Sequence, residues 1–230
     1  MPASDAPASS DAVRIARLYE ETRRRIADLL EAAGSAAWGT PVPACPGWSV
    51  RDVVSHLSAV AQDWAAGSLT GAPTDAQTAE HVRRFAGSSA PALIAAWADA
   101  ADLLGGRAHR DGLEAPLGDI VSHEHDIRAA LGRPGARDSA SVHWTSDLLL
   151  SMLRTPVPLQ VQVEDGRYLA GDRTGGGDGL VLRTTRFEAL RWRTGRRSPA
   201  QLAAMDWSAD PTPVLGHLCL FGPATSDVVE

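Results

Sequence analysis

The chain contains no lysine, so all 22 of its basic side chains are arginines, set against 28 acidic ones for a net charge of -6. That balance excludes a general nucleic-acid binder, which needs a net or clearly local cationic surface. Cysteine is scarce too. The two present, Cys45 and Cys219, lie far apart and form no CxxC pair. This rules out a structural zinc site of the cysteine type and favours two free thiols over a disulfide framework. No apolar run approaches the ~20 residues that a membrane span requires. The segment before Asp11 is polar, without the apolar centre of a secretory signal, and is expected to be a disordered leader. These absences together predict a cytoplasmic protein with neither nucleic acid nor membrane as a partner; they do not bear on its oligomeric state, for which a monomer or a homodimer is the expectation.

What remains is the composition of an ordinary globular chain. Of 230 residues, 44% are hydrophobic and 22% charged. This is enough to bury a core without staples.

Punctuation divides the first part into helices. Asp11 can cap a first helix whose apolar residues include Ala16, Leu18, Ile26 and Leu30, and Gly34 ends it. Pro41, Pro43 and Pro46 forbid helix across Trp38–Gly47. Ser49, with Asp52 at the capping-box position, then opens a second helix on Val50, Val53, Val54, Leu57 and Val60. Helical stretches follow around Ala76–Phe85 and Ala90–Leu104, the latter with Pro91 in its first turn. A further long helix spans about Leu117–Leu131, closed by Gly132 and Pro134. Short connections favour an up-and-down four-helix bundle over 11–134, with the Ala76–Phe85 piece as an extra.

The pattern changes after Pro134. A short helix is expected at His143–Leu153 and a half-buried strand at Leu159–Val163, where Gln160 and Gln162 alternate with apolar residues. The glycine-rich Gly171–Gly179 reads as a flexible turn. A second strand is expected at Leu180–Thr184, with short helices at Phe187–Trp192 and Ser198–Met205. The whole is thus an α+β chain, a helical bundle followed by a small α+β domain over 141–230.

The chemistry-bearing residues concentrate on two helices. Asp119 and His123 are one turn apart on one face, a spacing that can chelate an ion without distorting the backbone. His56, on the edge of the buried face of the second helix, is the best third donor. Two imidazoles and a carboxylate suit a divalent metal, zinc first, with positions left open for water or substrate. Asp126, one turn beyond His123, could orient a ligand imidazole. His125 points off the Asp119 face and is expected to be exposed. Spacing alone equally fits a surface ion pair and a packed histidine. In the tail, Arg191 and Arg196 are the candidates for binding the carboxylates of an anionic substrate or of a thiol cofactor. The surrounding arginines equally suit a solvated face.

The string Pro43-Ala44-Cys45-Pro46-Gly47-Trp48-Ser49-Val50-Arg51-Asp52-Val53-Val54-Ser55-His56-Leu57 resembles the opening motif of the mycothiol-dependent maleylpyruvate isomerase family. The string Leu117-Gly118-Asp119-Ile120-Val121-Ser122-His123-Glu124-His125-Asp126-Ile127-Arg128 resembles its second motif, an acidic residue, three spacers and His followed by Asp-Ile. The resemblance implies a DinB-like metal-binding bundle whose ligands fall on His56, Asp119 and His123. It also implies mycothiol as co-substrate, and isomerisation or thiol S-transfer on a small electrophile. The acidic position holds Asp119, one methylene shorter than the Glu of characterised isomerases, so an ion must sit closer to the helix or the carboxylate binds it more weakly. Two other readings stay open: a thiol-independent metal hydrolase, and a bundle that binds metal or a small ligand without turnover.

Overall fold

A computed structural model of the protein describes residues 10–171 and 179–230. It divides into two compact units, one ending at Arg133 and the other running Pro134–Glu230. The expected Gly171–Gly179 turn and the leader before Ser10 lie almost wholly outside the described residues.

The first unit is helical. α1 spans Ser10–Ala33, α2 Val50–Ala66, α3 Asp75–Arg84, α4 Ala90–Asp111 and α5 Leu117–Ala130. Each start has a local cause. Ser49 accepts from the Asp52 amide while the Asp52 carboxylate accepts from the Ser49 amide at 2.8 Å, a complete capping box at the head of α2. Thr74 and Gln77 repeat the device for α3, and Ser89 with Pro91 opens α4. α2 stops at Gly67, whose φ of 76° is the left-handed conformation that glycine adopts without penalty.

Both α1 and α2 pack against α4 and α5, while α3 lies on α2. The four long helices therefore surround one core, with α2 and α5 as direct neighbours. Leu18, Ile26, Leu57, Leu93, Leu104, Ile120 and Ile127 are buried there. Trp97 of α4 donates from Nε1 to Tyr19 Oη of α1 at 3.0 Å, so the largest polar-tipped side chains of the core satisfy one another.

The segment between α1 and α2 is not a plain loop. A short 3-10 helix occupies Ser35–Gly39, and Pro41 and Ser49 form a β-bridge. Val42 N donates to Trp48 O at 2.8 Å, Val50 N to Thr40 O at 2.9 Å and Cys45 N to Val42 O at 2.9 Å. Three prolines and these bonds make a rigid collar that fixes Cys45 and Trp48 beside the start of α2.

The second unit carries α6 (Ala140–Ser151), α7 (Arg186–Arg193), α8 (Pro199–Ala203) and α9 (Thr212–Leu215) around a four-stranded mixed sheet. Its strands are β1 (Leu159–Val163), β2 (Gly166–Ala170), β3 (Leu180–Arg183) and β4 (Asp206–Trp207), in the order β2-β1-β3-β4. β1 runs antiparallel to β2 and parallel to β3. Leu150, Leu159, Val161, Leu182, Trp192, Leu202 and Leu218 build its core. The fold class is that expected from the sequence. β2, β4 and α9 are additions to it.

Candidate metal centre

Three side chains from α2 and α5 converge. His56 Nε2 lies 3.6 Å from Asp119 Oδ1, and His123 Nε2 lies 3.6 Å from the same oxygen. The two imidazole rings meet edge to face, with centroids 5.4 Å apart. One donor atom from each of the three falls within 4.8 Å of the others. Two ligands of a tetrahedral ion with bonds of ~2.1 Å stand about 3.4 Å apart. The spacing of this set, and its two nitrogens and one oxygen, therefore fit a divalent metal such as zinc.

Burial gives the centre a closed side and an open one. His56 is 4% exposed and His123 7%. The Asp119 side chain retains 30% while its Oδ2 is buried, so solvent reaches the centre along one edge of this residue. Trp48, held by the proline collar, covers the imidazoles. Its ring lies 5.3 Å from that of His56 and nearly parallel to that of His123 at 6.4 Å.

Each histidine has a neighbour behind it. His123 Nδ1 is 2.9 Å from Asp126 Oδ2, and Asp126 is fully buried. Cys45 Sγ sits 3.5 Å from that oxygen and 3.8 Å from His123 Nδ1. Cys45 therefore lies directly behind the centre, and it is in no disulfide. His56 Nδ1 is 3.4 Å from Nδ1 of His81, a residue of α3 that the sequence reading did not single out. His81 Nε2 lies 3.1 Å from Asp63 Oδ2. Burial, with His56 as a near neighbour, pushes His81 below the ordinary histidine value despite Asp63. Burial alone would raise the Asp63 carboxyl, but donors from Arg84 at 2.9 and 3.0 Å outweigh it and hold the group below the usual range.

His125 is buried, contrary to the expected exposure, because α5 is enclosed from Ile120 through Ile127. Arg191 and Arg196 belong to the second unit, outside the helices that carry the three-residue set. Arg191 is fully buried and donates from Nε to Glu230 at 3.0 Å. Arg196 is half-buried and donates to the Thr194 carbonyl at 2.6 Å.

The sequence model of the mycothiol maleylpyruvate isomerase N-terminal domain matches residues 19–130. The helical unit belongs to this family. The match runs from within α1 to the end of α5, so the mycothiol maleylpyruvate isomerase N-terminal domain contains every residue of the convergent set. Among solved structures, the chain is similar to a histidine-to-alanine mutant of the mycothiol-dependent maleylpyruvate isomerase, with a TM-score of 0.52 and 16% identity over 83% of this chain and 90% of that one. Another structure of that isomerase matches at a TM-score of 0.48, again with 16% identity, over 84% of this chain and 90% of that one. At this identity the likeness is one of fold. No curated protein matches the chain.

Proposed function

We propose that the chain is a metal-dependent enzyme that uses mycothiol to isomerise a small electrophile, with His56, Asp119 and His123 as ligands of one divalent ion, zinc first. The observation that carries this reading is the convergence of two Nε2 atoms on one carboxylate oxygen inside a unit of the mycothiol maleylpyruvate isomerase family. It assigns the metal chemistry to the domain over 11–134.

When bound, the ion lowers the pKa of a coordinated thiol and so supplies the nucleophilic thiolate. The residues supply the rest. His56 and His123 present nitrogen lone pairs from the buried side, and Asp126 orients His123 through its other ring nitrogen. Trp48 and the proline collar exclude water from the closed face. The exposed edge of Asp119 leaves the approach by which thiol and electrophile reach the centre. The same arrangement serves S-transfer if the thiol stays attached to the electrophile. No described helix is long and apolar enough to cross a membrane.

Elemental analysis of the purified chain and of His56→Ala, with calorimetric titration of mycothiol into both, tests the reading. The expected result is about one divalent ion per chain and measurable binding heat, with both lost in the variant. Unchanged metal stoichiometry in His56→Ala overturns the ligand assignment. Absence of heat with metal-loaded protein overturns the thiol. Turnover of maleylpyruvate then separates isomerase from S-transferase.

A further inference from the structure

The helix α3 docks on α2 through an unusual residue. Its sole buried side chain is His81, with 0% exposure. A short polar helix would ordinarily settle on an aliphatic side chain. A buried imidazole is costly unless its nitrogens have partners. Both are engaged, Nδ1 with His56 at 3.4 Å and Nε2 with Asp63 at 3.1 Å. The Asp63 carboxylate is anchored in turn by Arg84, which also holds Glu80 at 2.7 Å. Asp63, Glu80 and His81 could by themselves be taken for a second metal group. The Arg84 guanidinium already engages both carboxylates as a donor, which makes the group the outer end of a relay.

The relay has a direction set by donor and acceptor chemistry. An ionised carboxylate only accepts, so His81 Nε2 carries the hydrogen toward Asp63. A neutral His81 then offers Nδ1 as an acceptor. That atom faces Nδ1 of His56, which must be the donor. His56 consequently keeps its hydrogen on Nδ1 and its lone pair on Nε2, the atom aimed at Asp119 and His123. In the opposite tautomer Nε2 would carry a hydrogen and could not ligate.

We propose that His81 and Asp63 are positioning residues that fix the tautomer and ring orientation of His56 and present its Nε2 to the metal. The inference rests on the metal reading above. It makes the two imidazoles of the centre equivalent in design. His123 is backed by a carboxylate directly, His56 by a carboxylate acting through a second histidine.

The test uses the full chain with His81→Ala, His81→Asn, His81→Gln and Asp63→Asn, measuring Zn2+ affinity by chelator competition and the visible spectrum of the Co2+ form. His81→Ala is expected to weaken zinc binding about 10–100-fold and to alter the cobalt bands. In His81→Asn an amide oxygen stands near the place of Nδ1 and can accept from His56, so affinity returns to within a few-fold of wild type (about 3-fold). In His81→Gln the amide reaches the place of Nε2 instead, and affinity stays low. Asp63→Asn weakens binding in the wild-type background and adds nothing on top of His81→Ala. Wild-type affinity in His81→Ala, or equal losses in His81→Asn and His81→Gln, overturns the inference and leaves the metal reading standing. A wild-type chain that binds no zinc overturns both.

Discussion

Nδ1 of His123 stands 2.9 Å from Asp126 Oδ2, while Nε2 of the same ring faces Asp119 Oδ1 at 3.6 Å. One imidazole thus links a fully buried carboxylate to a half-exposed one. Such a partner fixes the ring and raises its basicity toward a metal. Asp126→Ala is expected to lower Zn2+ affinity about 10–100-fold, and Asp126→Asn, which retains an acceptor, by less. Chelator competition at fixed pH measures both. Equal affinity in wild type and Asp126→Ala would limit Asp126 to packing.

Glu124 precedes the site's supporting carboxylate on α5 but faces a different neighbour. It has no exposed surface and takes donors from Arg25 of α1 at 3.0 and 2.7 Å and from Arg128 at 3.1 and 3.0 Å. This pairing ties α1 to α5. Glu124→Gln removes the charge that the two guanidiniums share, although each keeps some contact with water. A destabilisation of about 2 kcal/mol is expected, below the range for a wholly buried pair broken on one side. Urea unfolding should show a lower midpoint with an unchanged m-value. A midpoint equal to that of wild type would mean that solvent carries the two arginines unaided.

Much of this was legible in the residues, for reasons that differ from place to place. α2 and α5 are bounded by strong local signals: the Ser49–Asp52 capping box, the three prolines before it, and Gly132 after α5. Their spacing therefore put His56, Asp119 and His123 on helices at usable positions. The side chains behind them were harder to see. His81 sits on a helix with no apolar stripe, so periodicity gives it no orientation. His125 is buried because α5 is enclosed on almost every side, and a helix with so little solvent face defeats an argument from faces. Arg191 found its partner in Glu230, 39 residues away, a pairing that no local pattern encodes. β2 owes its existence to pairing with β1 rather than to its own alternation.

Glu20 gives the first unit an acid-sensitive contact far from this chemistry. Burial by itself would raise its carboxyl, but Arg23 at 2.7 and 2.8 Å and Arg24 at 2.6 Å outweigh that and hold it below its ordinary value of 4.5. A depressed carboxyl binds its proton less readily in the folded chain than in the unfolded one. Its contribution to stability is therefore complete above the unfolded value and disappears as pH falls through the folded one. Glu20→Gln should melt below wild type at about pH 7, and the gap should narrow progressively as pH falls below 4.5. Thermal unfolding of the two proteins across that range measures it. A gap of constant size at all pH values would mean that the side chain acts through packing, with no contribution from its charge.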